Sequence, residues 1–227
     1  MKTLVIGDIH GCYAELRALL DLARLAPGDQ IIAIGDLFDR GPEPLDVLRF
    51  FQETPDALAI MGNHERKHVR SFNGEITPAP SQLITRHLLG ESLYPQAVAW
   101  MSDLPIYLDL PQVLLAHAFY EPGIPLHHQR EQVLVGTLSG EKYLQDRGFW
   151  PWYLTYDNPK PIIVGHRDYT DHMQPFIYQQ RVYGIDTRCV YGGSLTGLLL
   201  PEFRLISVPA RADHWTLLQR RFAHLYR

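Results

Sequence analysis

The chain has 227 residues, 46% of them hydrophobic, two cysteines and a net charge of −4. That length can bury a full core as one domain, residues 1–227. The mild negative charge excludes a broad electrostatic pull toward nucleic acid or anionic membrane, and two cysteines exclude a disulfide framework and suit a reducing compartment. Thr3-Leu4-Val5-Ile6 runs directly into Gly7-Asp8. No apolar signal core is seen, and no run of about 18 apolar residues offers a bilayer span, so a cytoplasmic location is expected.

Residues 3–6 read as a buried strand, and Gly7-Asp8-Ile9-His10-Gly11 as the turn that leaves it. A helix over about 13–25 follows, with Leu16, Leu19, Leu20 and Ala23 on one face. Pro27-Gly28-Asp29 ends it. Strand 31–34 delivers Gly35-Asp36-Leu37-Phe38-Asp39-Arg40-Gly41, and Pro42-Glu43-Pro44 opens a helix over about 44–53 that packs Leu45, Leu48 and Phe50 or Phe51. Strand 57–61 leads to Gly62-Asn63-His64-Glu65 and a third helix. Three repetitions of apolar strand, glycine, polar cluster and helix imply a layered α/β domain with its polar clusters at the carboxyl ends of strands.

Residues 71–103 carry loop signals, Asn73-Gly74 and Pro78-Ala79-Pro80, and two short helices over 81–89 and 94–102. They read as a helical cap or insertion. The remainder is strand-rich: 106–109, 112–116, 161–164, 181–185, 194–200 and 203–208, with antiparallel pairing expected in this half. Two of these strands end in histidine, His117 and His166. The tail 213–225 is weakly amphipathic, and its arginines, Arg211, Arg220, Arg221 and Arg227, read as a solvated face.

The strand-end residues Asp8, His10, Asp36, Asp39, Arg40, Asn63, His64, His117 and His166 form a mixed oxygen and nitrogen set without a thiolate. Such a set suits Mn, Fe, Zn or Ni rather than a soft-metal site. One carboxylate can bridge two cations, and two cations about 3.5–4 Å apart clamp an in-line phosphoryl displacement and lower the pKa of a shared water. Arg40 suits bidentate grip of a phosphate, and a histidine of near-neutral pKa suits protonation of a leaving oxygen. Burying these charges without a balancing cation or anion would be expensive.

The ordered motifs Gly7-Asp8-Ile9-His10-Gly11, Gly35-Asp36-Leu37-Phe38-Asp39-Arg40-Gly41 and Gly62-Asn63-His64-Glu65 resemble those of the calcineurin-like metallophosphoesterase superfamily. Within it they resemble the phosphoprotein-phosphatase-like branch, which includes bacterial serine/threonine protein phosphatases and diadenosine tetraphosphatases. The resemblance runs through His117 and His166 to Asp186-Thr187 and Tyr191–Thr196. The stretch from Gly136 to Tyr156 is similar to small PrpE-like and Pnkp-phosphatase-like members.

The resemblance implies a four-layer αββα sandwich of two mixed sheets. It implies that Asp8, His10 and Asp36 hold one divalent metal, most simply Mn, and that Asp36, Asn63, His117 and His166 hold the second. His64 would be the proton donor, oriented by Asp39; Arg40 and Asn63 would contact phosphate. Three departures stand out: Phe119 two residues after His117, which would put bulk beside the second metal and narrow the cleft; Arg167 after His166; and Arg188 two residues after Asp186. Arg167 and Arg188 are candidate substrate residues, with Arg130 and Arg147 as further candidates for a second phosphate-binding arginine. The aromatic group Phe149, Trp150, Trp152, Tyr153 and Tyr156 reads as core, and Cys12 as a buried, inert thiol.

The leading expectation is a binuclear-metal phosphoesterase that uses a metal-bridging hydroxide on phosphoserine or phosphothreonine in proteins. The alternative is a dinucleoside polyphosphate hydrolase cutting an anhydride, and a phosphate-sensing module with a disabled site is the non-enzymatic rival.

Overall fold

A computed structural model describes residues 1–225, which leaves Arg227 outside the described residues. The first three strands are β1 (Thr3–Ile6), β2 (Gln30–Ala33) and β3 (Ala57–Ala59), paired in parallel. The helices that return the chain between them are α1 (Tyr13–Ala23) and α2 (Pro44–Glu53). Helix α1 buries Leu16, Leu19 and Ala23, as its periodicity demands, and ends at Arg24 in a left-handed conformation (φ 51°). Helix α2 starts with Pro44 in its first turn and buries Val47, Leu48 and Phe51; Phe50 is half-buried.

After α3 (Asn63–Phe72) come α4 (Pro80–Leu89) and α5 (Tyr94–Ser102), matching the two helices expected in the 71–103 segment. Leu89, Tyr94, Ala97, Val98 and Met101 join the same apolar cluster as Leu4, Ile6, Leu16 and Phe38. The segment is thereby built into the helical layer outside the first sheet.

The later strands are β4 (Tyr107–Asp109), β5 (Leu114–Ala116), β6 (Ile162–Val164), β7 (Phe176–Tyr178), β8 (Val182–Gly184), β9 (Ser194–Leu200) and β10 (Arg204–Pro209). The first sheet has the order β10-β9-β1-β2-β3 and the second β4-β5-β6-β8-β7. The expected antiparallel pairing holds for β4–β5, β7–β8, β1–β9 and β9–β10, but β5, β6 and β8 run parallel. For β5 and β6 the reason lies in residues 117–161, which form α6 (Glu131–Leu134) and α7 (Leu138–Asp146) and bring the chain back in the same sense; for β6 and β8 it lies in the 165–181 connection, which places β7 outside β8 at the sheet edge. Strand β7 and these two helices were not foreseen. A last helix, α8 (His214–Arg221), is capped by the Asp213 side chain accepting the Thr216 N–H.

Period-two alternation places the layers. Val5, Ile32 and Leu198 of the first sheet meet Leu115, Ile163 and Tyr183 of the second in one buried cluster. Their neighbours Leu4 and Ile6 face the outer helices, while Leu114, Ile162 and Val182 face Leu134, Leu144 and Trp152 on the opposite side. The result is the αββα sandwich of two mixed sheets.

Phe38 has no exposed surface and sits edge-on to Trp100 of α5 at 5.9 Å between ring centroids. It pins the Asp36–Arg40 turn to the helical layer. Phe38→Ala should cost about 3–5 kcal/mol in urea unfolding; a loss under about 1 kcal/mol would show that the turn is anchored elsewhere.

Candidate metal centre

The polar clusters following β1, β2, β3, β5, β6 and β8 converge where both sheets end. Asp8, His10, Asp36, Arg40, Asn63, His64, His166, Asp186, Arg188 and Tyr191 line one cavity of about 170 Å³. His117 lies directly behind it, fully buried. All six sequence-proposed metal ligands are therefore brought together, with His64 and Arg40 beside them.

Asp36 is the centre of this arrangement. Its Oδ2 lies 3.6 Å from His10 Nε2 and 3.9 Å from His64 Nε2, while its Oδ1 lies 3.4 Å from His117 Nε2. Two donor groups result, His10–Asp36–His64 and Asp36–His117–His166, with Asp36 common to both. Asp8 Oδ2 adds an oxygen 3.9 Å from His10 Nε2.

The donor chemistry fits cations. His117 Nδ1 lies 2.8 Å from the Ile34 carbonyl, which can only accept, so Nδ1 donates there and Nε2 is the ring atom turned to the site. Nε2 faces Asn63 Oδ1 at 3.1 Å and Asp36 Oδ1 at 3.4 Å. His166 Nδ1 meets the same Asn63 oxygen at 2.9 Å. Imidazole nitrogens, an amide oxygen and a carboxylate oxygen gathered this closely are a donor set that suits a divalent cation.

Electrostatics agree. Burial lowers the pKa of His10 and of His166 well below the usual range, leaving both rings neutral and able to ligate. Burial and the charges of Asp186 and Asp36 raise Asp8 well above the ordinary carboxylate range, and burial raises Asp186 as well. Burial alone would also raise Asp36, but the imidazoles beside it, His117 and then His64, outweigh it and hold its carboxyl below that range.

The backbone is shaped to this end. His10, Asp36 and His166 all adopt left-handed conformations (φ 48°, 54° and 66°), strain that clusters where function needs it. Glycines permit the close approach: a Cβ on Gly62 would lie 2.3 Å from Asp36 Oδ1, and one on Gly165 would lie 2.1 Å from Asp8 Oδ1.

A second set of groups holds the first in place. Asp39 has no exposed surface and receives hydrogen bonds at four points. His64 Nδ1 and Ser81 Oγ approach Oδ2 at 2.6 and 3.0 Å, and His68 Nε2 and Thr85 Oγ1 approach Oδ1 at 2.6 and 2.7 Å. Asp39 thus fixes the His64 ring with Nε2 toward the cavity and makes no ion pair with Arg40 among the described residues. Glu65 accepts the N–H groups of Asp36, Leu37 and Gly62 at 2.8, 2.8 and 3.0 Å, tying the β2 and β3 turns together. Asp8 accepts the His166 N–H at 3.0 Å, tying β1 to β6 across the two sheets.

Glu65, His68, Asp186 and Tyr191 were given no role from sequence. Glu65 had a readable signal, a Glu three residues after Gly62 at a helix start. His68 had none, because its partner Asp39 is distant along the chain.

Among the arginines, Arg40 and Arg188 both lie over the Tyr191 ring at the cavity wall, 5.7 and 5.2 Å from its centroid. Arg167 instead faces an adjoining cavity and pairs with Glu141 at 2.6 Å. Arg130 pairs with Glu121, and Arg147 lies over Tyr143; neither lines the metal cavity. Phe119 does not narrow the cleft. It is fully buried and props the His166 ring edge-on at 5.3 Å. Trp152 and Tyr156 are core, as expected.

The Asp39–His68 pair gives the metal-free protein a pH signature. Burial would raise Asp39, but His68 and His64 outweigh it and lower it; burial would lower His68, but Asp39 outweighs it and raises it. The lowered Asp39 contributes stability present above about pH 3.9 and lost as pH falls through its folded pKa; the raised His68 contributes stability complete below about pH 6.5 and lost as pH rises through its folded pKa. In chelator, the wild-type advantage over His68→Gln should be full between these limits and shrink at higher pH. An advantage that grows with pH above about 6.5 would contradict the pairing.

The family model for calcineurin-like phosphoesterases matches residues 1–197. A Halalkalibacterium halodurans protein named bis(5'-nucleosyl)-tetraphosphatase PrpE, asymmetrical, is 32% identical, with 93% of this chain and 95% of that protein covered. A symmetrical bis(5'-nucleosyl)-tetraphosphatase from Shewanella frigidimarina is 33% identical over 66% of this chain and 60% of its own. A crystal structure provisionally ascribed to a diadenosine tetraphosphatase superposes with a TM-score of 0.72 at 27% identity, covering 92% of this chain and 93% of that one. A serine/threonine phosphatase from Saccharomyces cerevisiae shares the fold at 14% identity, with a TM-score of 0.61, covering 93% of this chain and 80% of its own. The chain belongs to the calcineurin-like phosphoesterases and is a metal-dependent hydrolase of that family.

Proposed function

We propose that the protein hydrolyses dinucleoside tetraphosphates, cutting a phosphoanhydride to give unequal products, a nucleoside triphosphate and a nucleoside monophosphate. The observation that carries this reading is a second cavity of about 400 Å³ that shares Asn63 and His166 with the metal centre. Arg66, Lys67, Arg70 and Arg167 line it beside Ile76 and Leu138, with Glu141 the one acid, paired with Arg167; Arg66 and Arg70 pair with Glu131 and Glu75 outside it. A single phosphate needs only the first cavity. A cationic extension with an apolar wall suits the rest of a polyphosphate chain and its nucleoside. The tetraphosphatase names of the relatives covered nearly end to end support the same choice over the serine/threonine phosphatase reading, whose structural relative shares the fold alone.

In this reading Asp8, His10 and Asp36 hold one divalent cation and Asp36, Asn63, His117 and His166 the other, with Mn²⁺ the first choice for such an oxygen and nitrogen set. When bound, the two cations neutralise phosphoryl charge and activate water. Arg40 and Arg188 donate N–H groups to the phosphate oxygens, with the Tyr191 ring setting their planes. His64 gives its Nε2 proton to the departing oxygen, and Asp39 holds Nδ1–H and stabilises the ring while it is charged. Asn63 lies between the two cavities and orients substrate from its side-chain amide.

Product analysis tests the reading. With Mn²⁺, diadenosine tetraphosphate should give ATP and AMP in equal amounts, with kcat/KM exceeding that for a phosphoserine peptide on the order of 100-fold or more. Two ADP would overturn the unequal cut, and a preference for the phosphopeptide would restore the protein phosphatase reading. His64→Asn should slow alkyl phosphomonoesters by about 10²–10⁴ but p-nitrophenyl phosphate far less, since a good leaving group needs little protonation. Equal losses on both would remove His64 from the acid role.

A further inference from the structure

We propose that Cys12, Glu15 and His214 form a third cation site, separate from the catalytic pair, for a borderline metal such as Zn²⁺. One donor atom from each residue lies within 4.8 Å of the other two. None of the three lines the catalytic cavity. Cys12 directly precedes α1, Glu15 stands in its first turn, and His214 opens α8.

The independent observation is on Glu15. The residue is 1% exposed, and its Oε1 accepts the Arg211 N–H at 2.8 Å and lies 2.8 Å from His214 Nε2. Its Oε2 is buried and has no hydrogen-bond partner among the described residues. A carboxylate oxygen left without a donor in a core is costly, and a cation is the partner that the surrounding sulfur and imidazole suit. The Cys12 thiol has only a weak contact, 3.6 Å from the His10 carbonyl, and the neighbouring Cys189 thiol.

A sulfur, nitrogen and oxygen set of three is the donor chemistry of a tetrahedral zinc site with one further position. Binding releases the Cys12 thiol proton to solvent and places the His214 ring proton on Nδ1, leaving Nε2 to ligate. The His214 side chain is 13% exposed, which gives the ion a way in. Once filled, the site would join the start of α1, next to the His10 turn, to α8 near the end of the chain. In its absence Glu15 and His214 are joined by a hydrogen bond beside an inert thiol.

Co²⁺ is the probe, because the catalytic set has no thiolate, so thiolate-to-cobalt charge-transfer absorption in the near ultraviolet reports on Cys12 and its neighbour Cys189 alone. Reduced full-length protein, stripped with chelator and titrated with Co²⁺, should develop that band. It should persist in Asp36→Asn and vanish in Cys12→Ala. His214→Ala, a change at a partly exposed position, should keep native circular dichroism and weaken the Co²⁺ affinity of the band about 10-fold or more. Absence of the band in the wild type, its survival in Cys12→Ala, or unchanged affinity in His214→Ala would each overturn the site. If Cys12→Ala does not fold, the His214→Ala comparison decides alone.

Discussion

One buried carboxylate, Asp36, stands among four imidazoles at the line where two sheets end. Its two oxygens face different histidines, and those histidines come from different sheets: His10 and His64 from the first, His117 and His166 from the second. The sandwich is thus more than a container for the site. Packing Val5, Ile32 and Leu198 against Leu115, Ile163 and Tyr183 sets how far apart the two half-sites lie. A shift between the sheets would separate the two donor groups that Asp36 joins.

Three further carboxylates hold the geometry without being interchangeable. Asp39 spends all its hydrogen-bonding capacity on His64, His68, Ser81 and Thr85, and so links the β2 turn to α3 and α4. Glu65 ties backbone to backbone between the β2 and β3 turns. Asp8 bridges the sheets through the His166 N–H. Burial of so many acids is tolerated because each has donors, histidines or a cation-shaped gap facing it. Strain in His10, Asp36 and His166 is the other cost of bringing donors to one point.

The first half of the fold was legible because strand, turn and helix alternate there with strong periodicity and glycines mark each turn. The convergence of the polar cluster was legible for a related reason: each of its residues sits at a strand end, and strand ends of one sheet direction meet. The second half was harder. Strands of three residues carry little pattern, and the parallel pairing of β5 with β6 depends on α6 and α7, whose apolar faces are short. Side-chain partners distant in sequence were not legible at all. Nothing local tells that His68 reaches Asp39, that Phe119 supports His166, or that Arg188 rather than Arg167 shares a wall with Arg40. The second cavity belongs to that category too, since it is formed by α3, the turn before α7 and the residue after His166.

The central claim is that Asp36 joins two metal ions into one centre. Electron paramagnetic resonance of the protein loaded with two Mn²⁺ equivalents tests it directly, because two ions sharing a carboxylate at about 3.5–4 Å are magnetically coupled. The expected spectrum is that of an exchange-coupled pair. A spectrum of isolated Mn²⁺ ions only, at full occupancy of both sites, would contradict it.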